Sequence, residues 1–174
     1  MSEETFSGHV NSGSPVNGTP FATSAHDRLR ILGETRTIAI VGLSSNPFRP
    51  SHFVAIYMLA EGYNVIPVNP REQEILGRRC YPSLRDVPEP VEVVDIFRDP
   101  QAVPPIVEDA IAIGAKVVWM QLGVINEQAA RRAQEAGLEV VMDCCIKIEH
   151  ARFFGGLNSV GLNTGLLSAR RARR

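Results

Sequence analysis

The tightest constraint in this chain is a rhythm. Short apolar runs rich in β-branched residues recur at Thr37 to Leu43, Val65 to Val68, Val91 to Phe97, Lys116 to Met120 and Glu139 to Met142. Runs of this kind, bounded by polar turn residues and lacking two-residue alternation, are expected of strands buried on both faces. Helical stretches separate them, so the strands must be joined by right-handed crossovers. The expected fold is α/β and Rossmann-like, a five-or-so-stranded mostly parallel sheet with helices on both faces. A length of 174 residues suits one such domain.

The helices carry their own signals. A first one is expected to open after Thr23 or Ser24 as N-cap and to end at Gly33 in a left-handed position. Ser51 to Glu61 is apolar on most sides and ends at Gly62, which predicts a deeply packed helix. Val103, Ile106, Val107 and Ala110 sit at i, i+3, i+4, i+7 spacing, and Asn126 is placed to cap a helix whose inner face is alanine and which stops at Gly137. Between Val68 and Val91, with Tyr81-Pro82-Ser83-Leu84, a loop with a short helical turn is expected. Residues 1–22, rich in Ser, Gly, Asn and Pro, read as a flexible leader, and 155–174 as a flexible basic tail; the domain is 23–154.

Charge narrows the partners. The net charge of −1 hides a mildly acidic body and a C-terminal tip bearing Arg170, Arg171, Arg173 and Arg174. A nucleic-acid reader needs a broad basic footprint, which the body lacks. No apolar segment approaches the roughly 18–20 residues that span a bilayer, and Cys80, Cys144 and Cys145 form no even framework, so no membrane association, a reducing compartment and a cytoplasmic location are expected.

In an open parallel sheet, ligands bind at the carboxyl ends of the strands near the switch in strand order. The first such loop, Gly42-Leu43-Ser44-Ser45-Asn46-Pro47-Phe48-Arg49-Pro50-Ser51, runs from a strand into a helix with serine hydroxyls, a guanidinium and a positive helix end. These suit a phosphate or diphosphate, whereas a plain turn with Ser51 as N-cap is the structural alternative. The loop is neither GxGxxG nor a P-loop, since Gly42 is its only glycine and GKS or GKT is missing. The second strand ends in Val68-Asn69-Pro70-Arg71 where NAD enzymes carry an acidic ribose ligand. Asn69 suits a ribose or base and Arg71 a ribose phosphate, which favours an adenine nucleotide phosphorylated on its ribose over NAD.

The segment TIAIVGLSSNPFRPSHFVAIYMLAEGYNVIPVNP, then EILG, YPSL, DVP and VDIFR, then AKVVWMQLG and VVMDCCIKIEH, resembles the stand-alone coenzyme A-binding protein family. That family is similar to the N-terminal nucleotide-binding domain of the succinyl-CoA synthetase alpha subunit and of NDP-forming acyl-CoA synthetases. The match covers about two thirds of the chain, Thr37 to Phe154. The resemblance implies coenzyme A, or an acyl-CoA, lying across the carboxyl edge of the sheet. It assigns Gly42, Ser44, Ser45, Arg49 and Ser51 to the phosphates, Val68, Asn69, Pro70 and Arg71 to the adenosine and its 3′-phosphate, and Phe97, Arg98 and Gln121 to the rest. The larger synthetases have a more glycine-rich first loop than this one.

Catalytic machinery is not evident. His9, His26, His52 and His150 sit in no glycine-rich phosphohistidine-like loop, and Asp95, Asp99, Glu127 and Asp143 near strand ends are not paired as acid and base. Asp143, Cys144, Cys145 and His150 form the one cluster resembling a metal or thiol site, but without zinc-like spacing; a buried structural role is expected, with a coenzyme A mixed disulfide as the alternative. Three functions stay open: a coenzyme A carrier, sensor or accessory protein, alone or as a homo-oligomer; a small NAD(P)-dependent oxidoreductase; and a non-catalytic subunit that completes an acyl-CoA ligase with a partner chain.

Overall fold

The computed structural model describes residues 23–155. The leader and all but the first residue of the basic tail lie outside the described residues. Helix α1 (Ala25–Glu34) opens as expected on Ser24, whose hydroxyl accepts from the Asp27 amide. Its end differs from expectation. Gly33 stays inside the last turn, and Thr35 closes the helix, with both its amide and its hydroxyl donating to the Ile31 carbonyl, the hydroxyl at 2.7 Å.

The strands fall where the apolar runs place them. β1 (Thr37–Val41) and β2 (Asn64–Val68) are joined by helix α2 (Pro50–Ala60). A minor hairpin, β3 (Glu74–Ile75) and β4 (Arg78–Arg79), follows, then β5 (Val93–Ile96), α3 (Val103–Ala112), β6 (Val117–Met120), α4 (Glu127–Glu135), β7 (Glu139–Val141) and α5 (Ile146–Phe154). The main sheet is five-stranded in the order β2-β1-β5-β6-β7, with every pair parallel. The chain leaves β1 first toward β2 and later toward β5, so the switch in strand order lies between β1 and β5.

Alternation along the strands divides the core into two layers. Ala39, Val94, Val118 and Val140 face α3 and α4. Ile38, Ile40, Val93, Val117 and Trp119 face the layer of α1, α2 and α5. As expected, Val103, Val107 and Ala110 are the buried stripe of α3, and Asn126 caps α4 over the alanine face Ala129, Ala130 and Ala133. Two expectations change. The loop after Val68 contains the β3–β4 hairpin, whose two turn residues Leu76 and Gly77 both have positive φ, the pairing of a type I′ turn. And α2 is buried on its sheet side through Val54, Ala55 and Met58, while Phe53 and Ile56 remain 53% and 46% exposed.

Candidate functional site

The β1–α2 loop is built from the helix it enters. Ser51 does not cap α2: it lies inside the helix, and the capping position falls to Arg49, which makes no side-chain cap. The buried Ser51 hydroxyl instead accepts from the Ser44 amide at 3.2 Å. His52 reaches the Ser44 carbonyl at 2.9 Å; a carbonyl only accepts, so His52 carries its proton on Nδ1. The Asn46 amide donates to the Ser44 hydroxyl and the Phe48 amide to the Asn46 side chain, 3.2 and 2.9 Å. The first turn of α2 carries no acidic residue, so its positive end is left without a compensating side chain.

Gly42, with φ +88°, is required by its neighbours: a Cβ there would lie 2.5 Å from the Phe97 carbonyl and 2.7 Å from Arg98 Cδ. The chain after β1 therefore presses directly on the chain after β5, at the switch point. Beside this contact opens a cleft of about 260 Å³ on the α3 side, with Gly42, Val68, Pro70 and Arg98 in its wall, together with Leu84 and Ile106. Its size suits a flat ring system. Val41, Pro82, Ser83, Ala102, Pro105 and Asp109, the last paired with Arg85, complete the wall; sequence reading placed turns and a helix start there but had no means of bringing them to the same edge.

The other expected residues do not line this cleft and have different roles. Asn69 is held at both ends, its Nδ2 donating to the Leu43 carbonyl at 2.8 Å and its Oδ1 accepting from the Arg71 amide at 3.0 Å. Ser45 donates its hydroxyl to Glu72 at 2.7 Å, a carboxylate that sequence reading did not single out. Phe97 and Gln121 turn to the opposite side of the sheet: Phe97 is partly buried against the α1, α2 and α5 layer, and the buried Gln121 donates from Nε2 to Asp95 Oδ1 at 2.7 Å. Arg49, Arg71 and Arg98 are exposed, and among the described residues their guanidiniums have no ion pair or side-chain hydrogen bond. Arg28, Arg30, Arg85, Arg132 and Arg152, by contrast, each pair with a carboxylate.

The carboxylates near the strand ends have separate explanations. Asp99 caps the short turn Pro100–Ala102, Glu127 faces Arg131 at 3.8 Å, and Asp143 accepts from the Gly123 amide at 2.8 Å. Asp95 is different. It is wholly buried on β5, its Oδ2 has no hydrogen-bond partner among the described residues, and burial pushes its carboxyl up to about 8. Its pairing with Gln121 spans two strands and was not legible as a motif. The two thiols are half-buried, and desolvation pushes Cys144 up to about 12 and raises Cys145 as well. That holds them protonated, which works against exchange with a disulfide. The Cys144 carbonyl accepts from Trp119 Nε1 at 2.8 Å, a structural contact. Among the described residues no cluster of metal-ligating side chains forms, and no helix is long and apolar enough to cross a membrane.

Comparison with known proteins places the whole domain in context. Residues 36–151 match the family model described as a CoA binding domain. A Bacillus subtilis relative, "Uncharacterized protein YneT", is 41% identical over 121 residues, which is 70% of this chain and 90% of that protein. A solved structure of a "hypothetical protein from Pyrococcus horikoshii OT3" superposes with a TM-score of 0.76 at 42% identity, covering 88% of this chain and 100% of that one. "Acetate--CoA ligase [ADP-forming] II" of Archaeoglobus fulgidus is 26% identical over 135 residues; the match takes in 75% of this chain but only 20% of the ligase.

Proposed function

The chain belongs to the family of CoA-binding domains, and from that premise we propose that it binds coenzyme A or an acyl thioester of it, as a carrier, sensor or accessory protein. The observation that carries this reading is the trio of guanidiniums after β1, β2 and β5, Arg49, Arg71 and Arg98, which have no partner among the described residues. Coenzyme A is an adenine nucleotide with a diphosphate, a ribose phosphate and a long neutral arm ending in a thiol, so it demands cations at one edge and an apolar cleft beside them.

In this reading the adenine lies in the cleft against Val68 and Pro70, and Arg71 takes the 3′-phosphate. Gly42, Ser44, Ser45, Arg49 and the start of α2 at Ser51 hold the diphosphate, with Arg98 closing over Gly42. Asn69 acts by fixing the loop after β2 against Leu43. The neutral arm runs over the edge toward Phe97 and Gln121, and the bound coenzyme supplies a thiol able to carry an acyl group. Three free cysteines fit a cytoplasmic setting. A second reading, a subunit that completes a ligase through a partner chain, is favoured by the match to a fifth of the Archaeoglobus ligase.

The test is ligand-dependent protection against heat. Coenzyme A is expected to raise the midpoint more than dephospho-coenzyme A and more than NADP. Equal shifts for the first two remove Arg71 from the 3′-phosphate, and a larger shift with NADP replaces coenzyme A by a nicotinamide cofactor. By calorimetry, Arg98→Ala and Arg49→Ala should each weaken coenzyme A binding by about 10- to 150-fold, the range of a charge-assisted hydrogen bond. A ligase-type partner recovered with the tagged full chain from native extract would support the second reading.

A further inference from the structure

Helix α2 leaves an apolar seam that nothing in the described residues covers. Its sequence, PSHFVAIYMLA, is apolar all round, the composition of a helix buried on all sides. The sheet takes Val54, Ala55 and Met58, and Tyr57 turns to α5, bonding His150 at 3.0 Å. Phe53, Ile56 and Ala60 are left facing outward, and Phe48 just ahead of the helix is 87% exposed.

The spacing of this seam is its most telling feature. Arg49, Phe53, Ile56 and Ala60 are separated by steps of four, three and four residues, which keeps them on one line along the helix. That pattern reads the same in both directions. We propose that the face docks a second copy of this chain, α2 against α2 in antiparallel orientation about a two-fold axis. A two-fold contact must be self-complementary, and the palindromic seam meets that requirement: Phe53 falls beside Ile56 of the second copy, and Arg49 beside its Ala60.

Charge selects the same arrangement. Arg49 stands at the start of α2 and Glu61 follows its end, both exposed. Antiparallel pairing sets each Arg49 next to Glu61 of the other copy and opposes the helix dipoles; a parallel pairing sets arginine against arginine. The small side chain of Ala60 lets the two helices approach at the end where Arg49 crosses. The guanidinium has five donors, so facing Glu61 on one edge leaves it able to meet a phosphate on another. Arg49 belongs to both readings, but Phe53, Ile56 and Glu61 lie outside the ligand site described above, so their substitution tests the dimer independently of the coenzyme A reading.

Sedimentation of the full chain from about 1 µM to about 200 µM, the span over which a small interface dissociates, is the deciding experiment. The average mass is expected to climb from 19.1 kDa toward twice that value. Phe53→Glu, and independently Ile56→Lys, should hold it at the monomer mass across the range, with an unchanged circular dichroism spectrum showing that the fold survives. Glu61→Arg should raise the dissociation midpoint up to a few-fold, the worth of an exposed ion pair, and adding Arg49→Glu should restore it. A parent chain that stays monomeric throughout overturns the proposal and points to residues 156–174 or a different protein as the occupant. A dimer that survives both Phe53→Glu and Ile56→Lys overturns it as well, by placing the interface elsewhere.

Discussion

On one face of the sheet, α3 and α4 bury valines and alanines against Ala39, Val94, Val118 and Val140. On the other face, α1, α2 and α5 also bury Ser51, His52, Asp95, Gln121, Glu149, His150 and Arg152 among their apolar neighbours. The first layer is held by shape and area. The second is tied together by bonds between elements remote in sequence, Arg28 Nε to Glu149 Oε2 at 2.8 Å and Tyr57 to His150, and within α5 the same Glu149 pairs through Oε1 with Arg152 Nη1 at 2.7 Å. The division extends to the carboxyl edge of the sheet. The cleft opens on the apolar side, while the loop from Gly42 to Ser51 is braced from the polar side by Ser51 and His52.

If the second face depends on its bonds, the sharpest way to break it is Glu149→Ala. The change leaves Arg28 and Arg152, with side chains 12% and 4% exposed, facing each other without their shared carboxylate. The expected loss is about 3–5 kcal/mol in urea unfolding, the cost of stranding buried charge. Replacing all three residues together, Arg28→Met, Glu149→Leu and Arg152→Leu, should recover most of it, because the desolvation cost disappears with the charges. A loss under about 1 kcal/mol in Glu149→Ala would mean that solvent reaches the site and that the two faces do not differ in kind.

The same contrast explains what was legible in the sequence. Val103, Ile106, Val107 and Ala110 announce α3 because apolar side chains alone make its inner stripe. α5 was not anticipated: Glu149, His150 and Arg152 occupy buried positions where an apolar count expects aliphatics, and the partner that makes Glu149 acceptable, Arg28, lies 121 residues away. α2 failed in the opposite sense, since its apolar outer residues read as burial that the described residues do not supply. At the site, Gly42, Val68, Pro70 and Arg98 could be placed together because strand ends in a parallel sheet share one edge. The Asp95–Gln121 bond could not, as neither residue type nor spacing marks a bond across two strands.

Asp95 offers a second, smaller probe of the polar face, read through pH. In the fold its carboxyl is pushed up to about 8, whereas the unfolded chain releases that proton near the ordinary value of about 4. Between these values the folded state binds the proton and the unfolded state does not, so this group makes stability fall as pH rises, by at most about 1.4 kcal/mol per pH unit. Below about pH 4 both states are protonated and the penalty vanishes. Asp95→Asn keeps an acceptor for Gln121 and cannot ionise. Its stability relative to the parent should therefore grow from pH 5 to pH 8 in urea titrations; parallel profiles would show that Asp95 is already ionised in the fold.

The least costly change tests the opposite layer. Beside the exposed Arg132–Glu108 pair between α3 and α4, Asn126 is a less exposed polar tie of this layer: its Oδ1 accepts from the Ala129 amide at 2.9 Å to cap α4, and its Nδ2 donates to the Pro100 carbonyl at 2.8 Å. Both bonds lie at the helix end near the surface, where water replaces a lost partner, so Asn126→Ala should cost about 1 kcal/mol, at most about 2. Asn126→Asp retains the cap acceptor and loses only the donor to Pro100, and should fall between parent and alanine. The contrast with Glu149→Ala is the point of the measurement: on the apolar face a polar side chain trims the end of a helix already held by Ala129, Ala130 and Ala133, so its removal is local. A loss of 3 kcal/mol or more at Asn126 would mean that the tie to Pro100 anchors the cleft wall, and that this face too is held by bonds between remote elements.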